Sequence, residues 1–126
     1  MKLLSYRRQG VPSIGALIGS SVLDLREAAK NNLGGAFTDL PMAGVSDMIS
    51  FLGLGEDGLG EARKAIEWVA ERIGKGKSVE GLICLDEVEI EAPIPRPRKN
   101  VVCLGLNYAD HVAEGSKTLD EEQPLP

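Results

Sequence analysis

The chain has 126 residues, of which 43% are hydrophobic and 26% are charged. This balance is typical of a soluble globular domain and is sufficient for one hydrophobic core. The net charge of -5 excludes broad affinity for nucleic acid or anionic lipid, because both attract clustered basic side chains. The sequence contains neither a signal peptide pattern nor an apolar stretch of the roughly 20 residues needed to cross a bilayer. It therefore predicts a cytoplasmic protein with a small-molecule or protein partner.

The first residues predict a β-meander. Short strands are expected at residues 2–7, 14–18 and 22–25. The turns between them are predicted at Gly10–Pro12 and Gly19–Ser21. A short helix over residues 25–32 should follow, because Asn31 and Asn32 are helix breakers.

Two further helices are predicted. Ser46 can cap a helix that runs to Phe51, with Asp47 in its first turn. A longer amphipathic helix begins near Leu59, because apolar residues recur with the helical period. This helix should pack across the meander. Its apolar positions are Ala62, Ala65, Ile66, Val69, Ala70 and Ile73.

Two further strands are predicted at residues 81–84 and 88–92. The prolines of residues 93–99 remove backbone donors and hold an extended path, which is typical of a linker. We therefore predict three parts: an α+β domain over residues 1–92, the linker, and the start of a second domain over residues 100–126. The α+β domain is expected to be a small mixed β-meander with packed helices.

The two cysteines, Cys84 and Cys103, both lie within apolar runs, and no CxxC spacing occurs. Buried thiols are therefore expected, and neither a disulfide nor a zinc site is indicated.

His111, the single histidine, precedes Glu114 by three residues. A helix would place both side chains on one face, where the carboxylate can orient the imidazole as a general base. The same spacing is also typical of a surface ion pair. The preceding apolar strand and glycine turn favour a strand-end active site. A nucleotide-binding loop is not favoured, because GxGxxG is missing.

The segment APIPRPRKNVVCLGLNYADHVAE, residues 92–114, resembles the signature of the fumarylacetoacetate hydrolase family. The stretches KLLSYRRQG, GALIG and VLDL resemble the small amino-terminal domain of bacterial members. The resemblance implies that residues 100–126 begin a β-rich catalytic domain. It also implies carbon–carbon bond cleavage in acylpyruvates and related diketo acids, or isomerisation or decarboxylation of muconate-derived acids, with Mg or Mn as cofactor.

The resemblance gives His111 the role of general base and Glu114 that of its carboxylate partner. Gly105, Asn107 and Tyr108 correspond to the turn that shapes the substrate pocket. Asn107 and Tyr108 can equally be a helix cap and a core aromatic residue.

Leu106 stands where some acylpyruvate-cleaving relatives have arginine, which weakens the expectation of an arginine contact to the substrate. The family's metal ligands follow the His-x-x-Glu motif, so no metal is expected in this chain and Mg or Mn only in the full-length enzyme. Glu87, Glu89 and Glu91 imitate the ligand spacing but should be solvated. Residues 120–122 are adjacent carboxylates that are not preorganised for a metal. A catalytically incomplete fragment is therefore expected.

The resemblance further implies that the full-length protein is a homodimer acting on a small diketo acid in aromatic catabolism. From charge and hydropathy, no nucleic acid or membrane partner is expected. A non-catalytic alternative remains, in which the first 92 residues form a scaffold or dimerisation module.

Overall fold

A five-stranded antiparallel sheet forms the centre of residues 1–38 and 42–103, the part of the chain that the computed structural model describes. Its strands lie in the order β4–β3–β2–β1–β5. They are β1 (Leu3–Arg8), β2 (Val11–Ile18), β3 (Ser21–Asp24), β4 (Leu82–Cys84) and β5 (Glu89–Ile90). The predicted meander is β1–β2–β3, and the α+β class is confirmed.

The first hairpin turn was predicted one residue too late along the chain. It lies at Gln9 and Gly10, which both have positive φ, at 51° and 80°. Two such residues form the tight connection whose twist matches that of the flanking strands. Pro12 lies within β2, opposite Arg7. This end of β2 extends beyond its pairing with β3, which stops at Gly15, so the missing proline donor does not interrupt that ladder.

The sheet curls because its two edge strands are joined by a very short connection. Only the one-turn 3-10 helix Leu85–Glu87 and Val88 separate β4 from β5. Five flat strands would place the edges about 19 Å apart, whereas such a connection spans at most about 17 Å. Curling produces a concave inner face. The buried side chains on this face are Leu4, Tyr6, Val22 and Ile83, and the partly buried Leu17, Leu85 and Val88 pack against them.

The convex outer face packs against helices. These are α1 (Leu25–Lys30), α2 (Met48–Leu52) and α3 (Gly55–Gly74). Their shared core with the sheet includes Ile14, Ala16, Leu23, Phe51, Ala62, Ala65 and Val69. The predicted packing of the long helix on the meander is therefore confirmed.

The long helix begins at Gly55, four residues before the predicted start. Ile66 is only partly buried and Ile73 is exposed. At 1.5 Å rise per residue a helix of this length is about 30 Å long, which exceeds the width of a curled five-stranded sheet. Its carboxyl-terminal turns therefore extend past the core.

Asp47, not Ser46, caps α2. Its carboxylate accepts a hydrogen bond from the Ser50 backbone N–H at 2.7 Å, and the Ser50 hydroxyl oxygen accepts one from the Asp47 N–H at 3.1 Å. This reciprocal pair is a capping box. The predicted cap at Ser46 is therefore wrong by one residue, because the extended backbone that an N-cap needs occurs at Asp47.

The prediction of buried thiols is also wrong. Cys84 and Cys103 are both exposed. Cys84 lies in an edge strand next to the buried Ile83, and successive side chains of a strand point to opposite faces. Cys103 follows the proline-containing segment, outside the two hydrophobic clusters.

Candidate functional site

The predicted catalytic pair His111 and Glu114 lies outside the described residues, as do Gly105, Asn107 and Tyr108. Their roles therefore stay predictions. Leu106 and the carboxylates of residues 120–122 also lie outside this part of the chain. The described residues form the unit that precedes the predicted site in the chain, and they contain polar groupings of their own.

A buried polar cluster lies on the inner face of the sheet. Strand pairing places Tyr6 opposite Ser13 and Gly15 opposite Asp24. The Tyr6 hydroxyl donates a hydrogen bond to the Asp24 carboxylate, and the Ser13 hydroxyl donates to the same oxygen at 2.7 Å. The other carboxylate oxygen accepts the backbone N–H of Glu27 at 2.8 Å. Asp24 therefore joins two strands to the first turn of α1.

Burial and Asp24 together keep the Tyr6 hydroxyl protonated. The Tyr6 side chain is only 1% exposed. Burial is the main reason why its pKa is raised far above the usual value, and the hydrogen bond and negative charge of Asp24 raise it further. A phenol that stays protonated is a permanent donor to the carboxylate, so this cluster is suited to holding structure together.

This cluster could not be recognised in the sequence, because its members are separated along the chain and meet only through strand register. One signal was available. Asp24 precedes a predicted helix and is followed three residues later by Glu27, which is the spacing of an N-terminal cap.

An open cleft of about 820 Å³ lies beside the cluster. Tyr6, Ser13 and Asp24 contribute to its wall, with Arg8 and Glu80 among the charged residues. Since both signs of charge line the cleft, its electrostatics do not select an anionic or a cationic ligand.

A second buried carboxylate holds the loop that follows α1. Glu61 of α3 is 6% exposed, and its Oε1 accepts hydrogen bonds from the Thr38 N–H at 2.9 Å and the Thr38 hydroxyl at 2.6 Å. Among the described residues, its Oε2 has no hydrogen-bond partner. Sequence periodicity gave one signal for this role, because Glu61 shares a helix face with the apolar Ala65.

The prediction that Glu87, Glu89 and Glu91 are solvated is wrong for Glu91. Its side chain is 20% exposed and accepts the Arg7 Nε–H at 2.7 Å. Pairing of β5 with β1 brings these two side chains together. Glu87 is exposed and forms an ion pair with Arg8 at 3.0 Å.

Within residues 1–38 and 42–103, no group of three or more His, Cys, Asp or Glu side chains is arranged to hold a metal ion. The helices of this same region are too short or too polar to cross a membrane.

No family model matches the chain. It is similar to the oxaloacetate tautomerase YisK of Bacillus subtilis (strain 168), with 31% identity over 114 residues that cover 89% of this chain and 35% of that protein. It is also similar to the mitochondrial oxaloacetate tautomerase Fahd2a of Rattus norvegicus, with 38% identity over 88 residues, 68% of this chain and 25% of that protein. The chain thus spans about a third or less of the length of these relatives.

Both relatives belong to the fumarylacetoacetate hydrolase family, whose members are enzymes. The similarity to YisK extends over most of the chain and includes His111 wherever the match begins, since it covers 89% of the 126 residues. This chain belongs to the fumarylacetoacetate hydrolase family.

Proposed function

We propose that the chain is the amino-terminal part of an enzyme that interconverts the keto and enol forms of a small oxo acid, with oxaloacetate as the first candidate substrate. The observation that supports this proposal is the name of both relatives, each an oxaloacetate tautomerase. Isomerisation, there of muconate-derived acids, was among the three activities that the sequence resemblance implied.

Keto–enol interconversion needs a base that takes a proton from the carbon next to the carbonyl group. It also needs a donor or cation near the carbonyl oxygen, where negative charge develops. His111 suits the base role, because an imidazole titrates near neutral pH, at about 6.5. Glu114 would orient the ring and stabilise its protonated form. Gly105, Asn107 and Tyr108 would shape the pocket around the substrate.

Enzymes of this family generally use a divalent metal ion. Bound Mg or Mn would polarise the carbonyl oxygen of an oxo acid. The described residues do not fit such a site, because their acidic side chains are paired with cations, used in caps or dispersed. We place the metal ligands elsewhere in the full-length protein, and the contribution of this chain is the proton transfer and its scaffold.

In this proposal residues 1–92 form the amino-terminal domain, residues 93–99 the linker and residues 100–126 the start of the catalytic domain. The full-length enzyme would act as a homodimer on a small oxo acid.

A second candidate function is hydrolytic cleavage of a carbon–carbon bond in an acylpyruvate. The motif formed by Gly105, Asn107, Tyr108, His111 and Glu114 supports it, because the sequence resemblance associates this motif with that reaction. Here His111 would deprotonate the attacking water. Leu106 argues against the arginine contact of some acylpyruvate-cleaving relatives.

The test uses full-length protein with Mg or Mn. Loss of the enol absorbance of oxaloacetate reports tautomerisation, and pyruvate release reports acylpyruvate cleavage. His111→Ala should lower the rate at least about 100-fold, with an unchanged melting temperature. Glu114→Gln should have a smaller effect, and Glu80→Gln, at an exposed position, serves as control.

Acylpyruvate cleavage without oxaloacetate turnover would refute the proposed tautomerase activity and support the hydrolase activity. Near-normal turnover by His111→Ala in both assays would refute the general-base assignment and leave the motif as a structural ion pair.

A further inference from the structure

The chain that follows β5 is attached to β1 by hydrogen bonds that continue beyond the strand pair. The Glu91 N–H donates to the Ser5 carbonyl oxygen at 2.9 Å. Two residues later the Ser5 hydroxyl donates to the Pro93 carbonyl oxygen at 2.7 Å. Ser5 is only 4% exposed, so a side chain from the sheet holds the first residue of the predicted linker.

An ion pair supports this attachment. Arg7 lies on the same side of β1 as Ser5 and donates to Glu91 at 2.7 Å. A second Arg7 nitrogen donates to the Gly10 carbonyl oxygen at 3.1 Å, which orients the guanidinium group. We call the Ser5–Pro93 hydrogen bond and the Arg7–Glu91 ion pair the clasp.

Beyond the clasp, the linker remains close to α2. Ile94, Pro95 and Arg96 line a cleft of about 310 Å³, whose other wall includes Asp47 and Met48.

The positive charge of Arg98 also acts on the carboxylate at the start of α2. Hydrogen bonds from Ser50 lower the pKa of Asp47 most, and the positive charge of Arg98 lowers it further. The cleft contacts place the linker beside the amino-terminal unit through Arg96.

Proline content explains why one side-chain anchor has a large effect on this path. Pro93, Pro95 and Pro97 have no backbone N–H, so a strand ladder cannot hold the linker. Proline-containing segments are also stiff and extended. When a stiff segment is fixed at its first residue and continues from a paired strand, its direction is restricted as well.

We propose that Ser5 is a positioning residue, and that the clasp sets the path by which the linker delivers the residues that follow Arg98. The segment with His111 and Glu114 comes shortly afterwards in the chain. The expected effect on activity rests on the proposed function, whereas attachment of the linker does not.

The test compares Ser5→Ala with Ser5→Thr, which retains the hydroxyl, in full-length protein. Ser20→Ala, at an exposed turn position, is the matched control, and Glu91→Gln weakens the ion pair alone. Limited trypsin digestion reports detachment of the linker by cleavage after Arg98 and Lys99. Cleavage after Lys77, in the exposed loop beyond α3, provides the internal reference.

Ser5→Ala should raise cleavage after Arg98 and Lys99 relative to Lys77 about fivefold, as expected for loss of one hydrogen bond. Ser5→Thr and Ser20→Ala should resemble the unmodified protein, and Glu91→Gln should show a smaller increase. The kcat of Ser5→Ala should fall severalfold with little change in KM, since the proposal gives Ser5 a positioning role and no contact with substrate.

An unchanged cleavage ratio in Ser5→Ala would overturn the proposal, as would equal acceleration at all sites, which reports general unfolding. Selective cleavage with an unchanged kcat would overturn the positioning role. If the unmodified enzyme turns over neither substrate, the proposed function fails, and the cleavage ratio alone decides the clasp.

Discussion

The two faces of the sheet are buried by different means. The outer face packs a large apolar cluster against three helices, and the buried Glu61 of α3 bonds the loop that follows α1. The inner face combines a smaller apolar cluster with the polar group of Tyr6, Ser13 and Asp24. Apolar packing is non-directional and proportional to area, whereas buried hydrogen bonds are directional. The outer face should therefore dominate stability, and the inner face should fix strand register and the start of α1.

The largest expected effect tests the outer face. Phe51 is fully buried between α2 and the rest of the core. Phe51→Ala should reduce the free energy of unfolding by about 3–5 kcal/mol, from lost burial and the cavity left behind. Leu52 is the adjacent control because it is 43% exposed. Leu52→Ala should change stability by less than about 0.5 kcal/mol. Urea unfolding measures both, and equal effects would refute the assignment of Phe51 to the core.

The second prediction concerns close packing on the inner face. A Cβ added at Gly15 would lie 2.6 Å from a Val22 methyl carbon and 2.9 Å from the Leu23 carbonyl oxygen. The backbone oxygen cannot move without disturbing the β2–β3 ladder. Gly15→Ala should therefore cost about 1–3 kcal/mol.

Gly60→Ala provides the contrast to Gly15→Ala. Gly60 lies inside α3, where an added Cβ meets no atom within 4 Å. This change should stabilise the protein by up to about 1 kcal/mol, because alanine has the higher helix propensity. Thermal unfolding should move in opposite directions for the two glycine variants. A shift in the same direction would contradict the tight inner face.

Much of the outer face could be predicted from sequence, because it follows from local periodicity. Ala62, Ala65 and Val69 recur on one side of α3 and are buried as expected. In the edge strand β4 all three residues are apolar, so the sequence did not indicate which side chain faces outward. Cys84 is exposed, whereas the adjacent Ile83 is buried.

The inner cluster and the clasp could not be predicted in the same way. Tyr6 and Asp24 meet because the β1–β2 and β2–β3 pairings have this register, and a shift of one residue would move every side chain of a strand to the opposite face. Ser5 and Pro93 are 88 positions apart in the chain. Contacts of this kind depend on topology, which local patterns do not encode. His111 and Glu114 were singled out by their spacing and then by resemblance, and they lie outside the described residues.

The third prediction tests the hydrogen bonds of the inner face. Tyr6→Phe removes one donor from the Asp24 carboxylate and leaves those of Ser13 and Glu27. The loss at neutral pH should be about 1.5 kcal/mol, as for a hydrogen bond to a charged group. Ser20→Ala, which changes an exposed turn side chain, should have no comparable effect.

The same variant should change the dependence of stability on pH. Because folding raises the pKa of Tyr6, the folded state retains the phenol proton that the unfolded state releases near pH 10. This contribution is complete below pH 10 and is lost as pH rises further. The unmodified protein should therefore lose stability more steeply than Tyr6→Phe above about pH 10. Parallel curves from urea unfolding in that range would contradict the buried phenol.

The smallest effect tests whether the outer face depends on packing alone. Asp47 caps α2, whose Met48 and Phe51 are buried in the outer core. Asp47→Ala should cost about 1 kcal/mol, the usual value for loss of an N-cap. Ser46→Ala is the matched control and should have little effect, although the sequence favoured Ser46 as the cap.

Folding lowers the pKa of Asp47, so its contribution to stability is present above the unfolded value near 3.9 and is lost as pH falls below it. The difference between the two variants in urea unfolding should therefore shrink between pH 5 and about pH 3. If Ser46→Ala lost more unfolding free energy than Asp47→Ala, Ser46 would be the cap. Equal stability of both variants would mean that packing of Phe51 holds α2 without its cap.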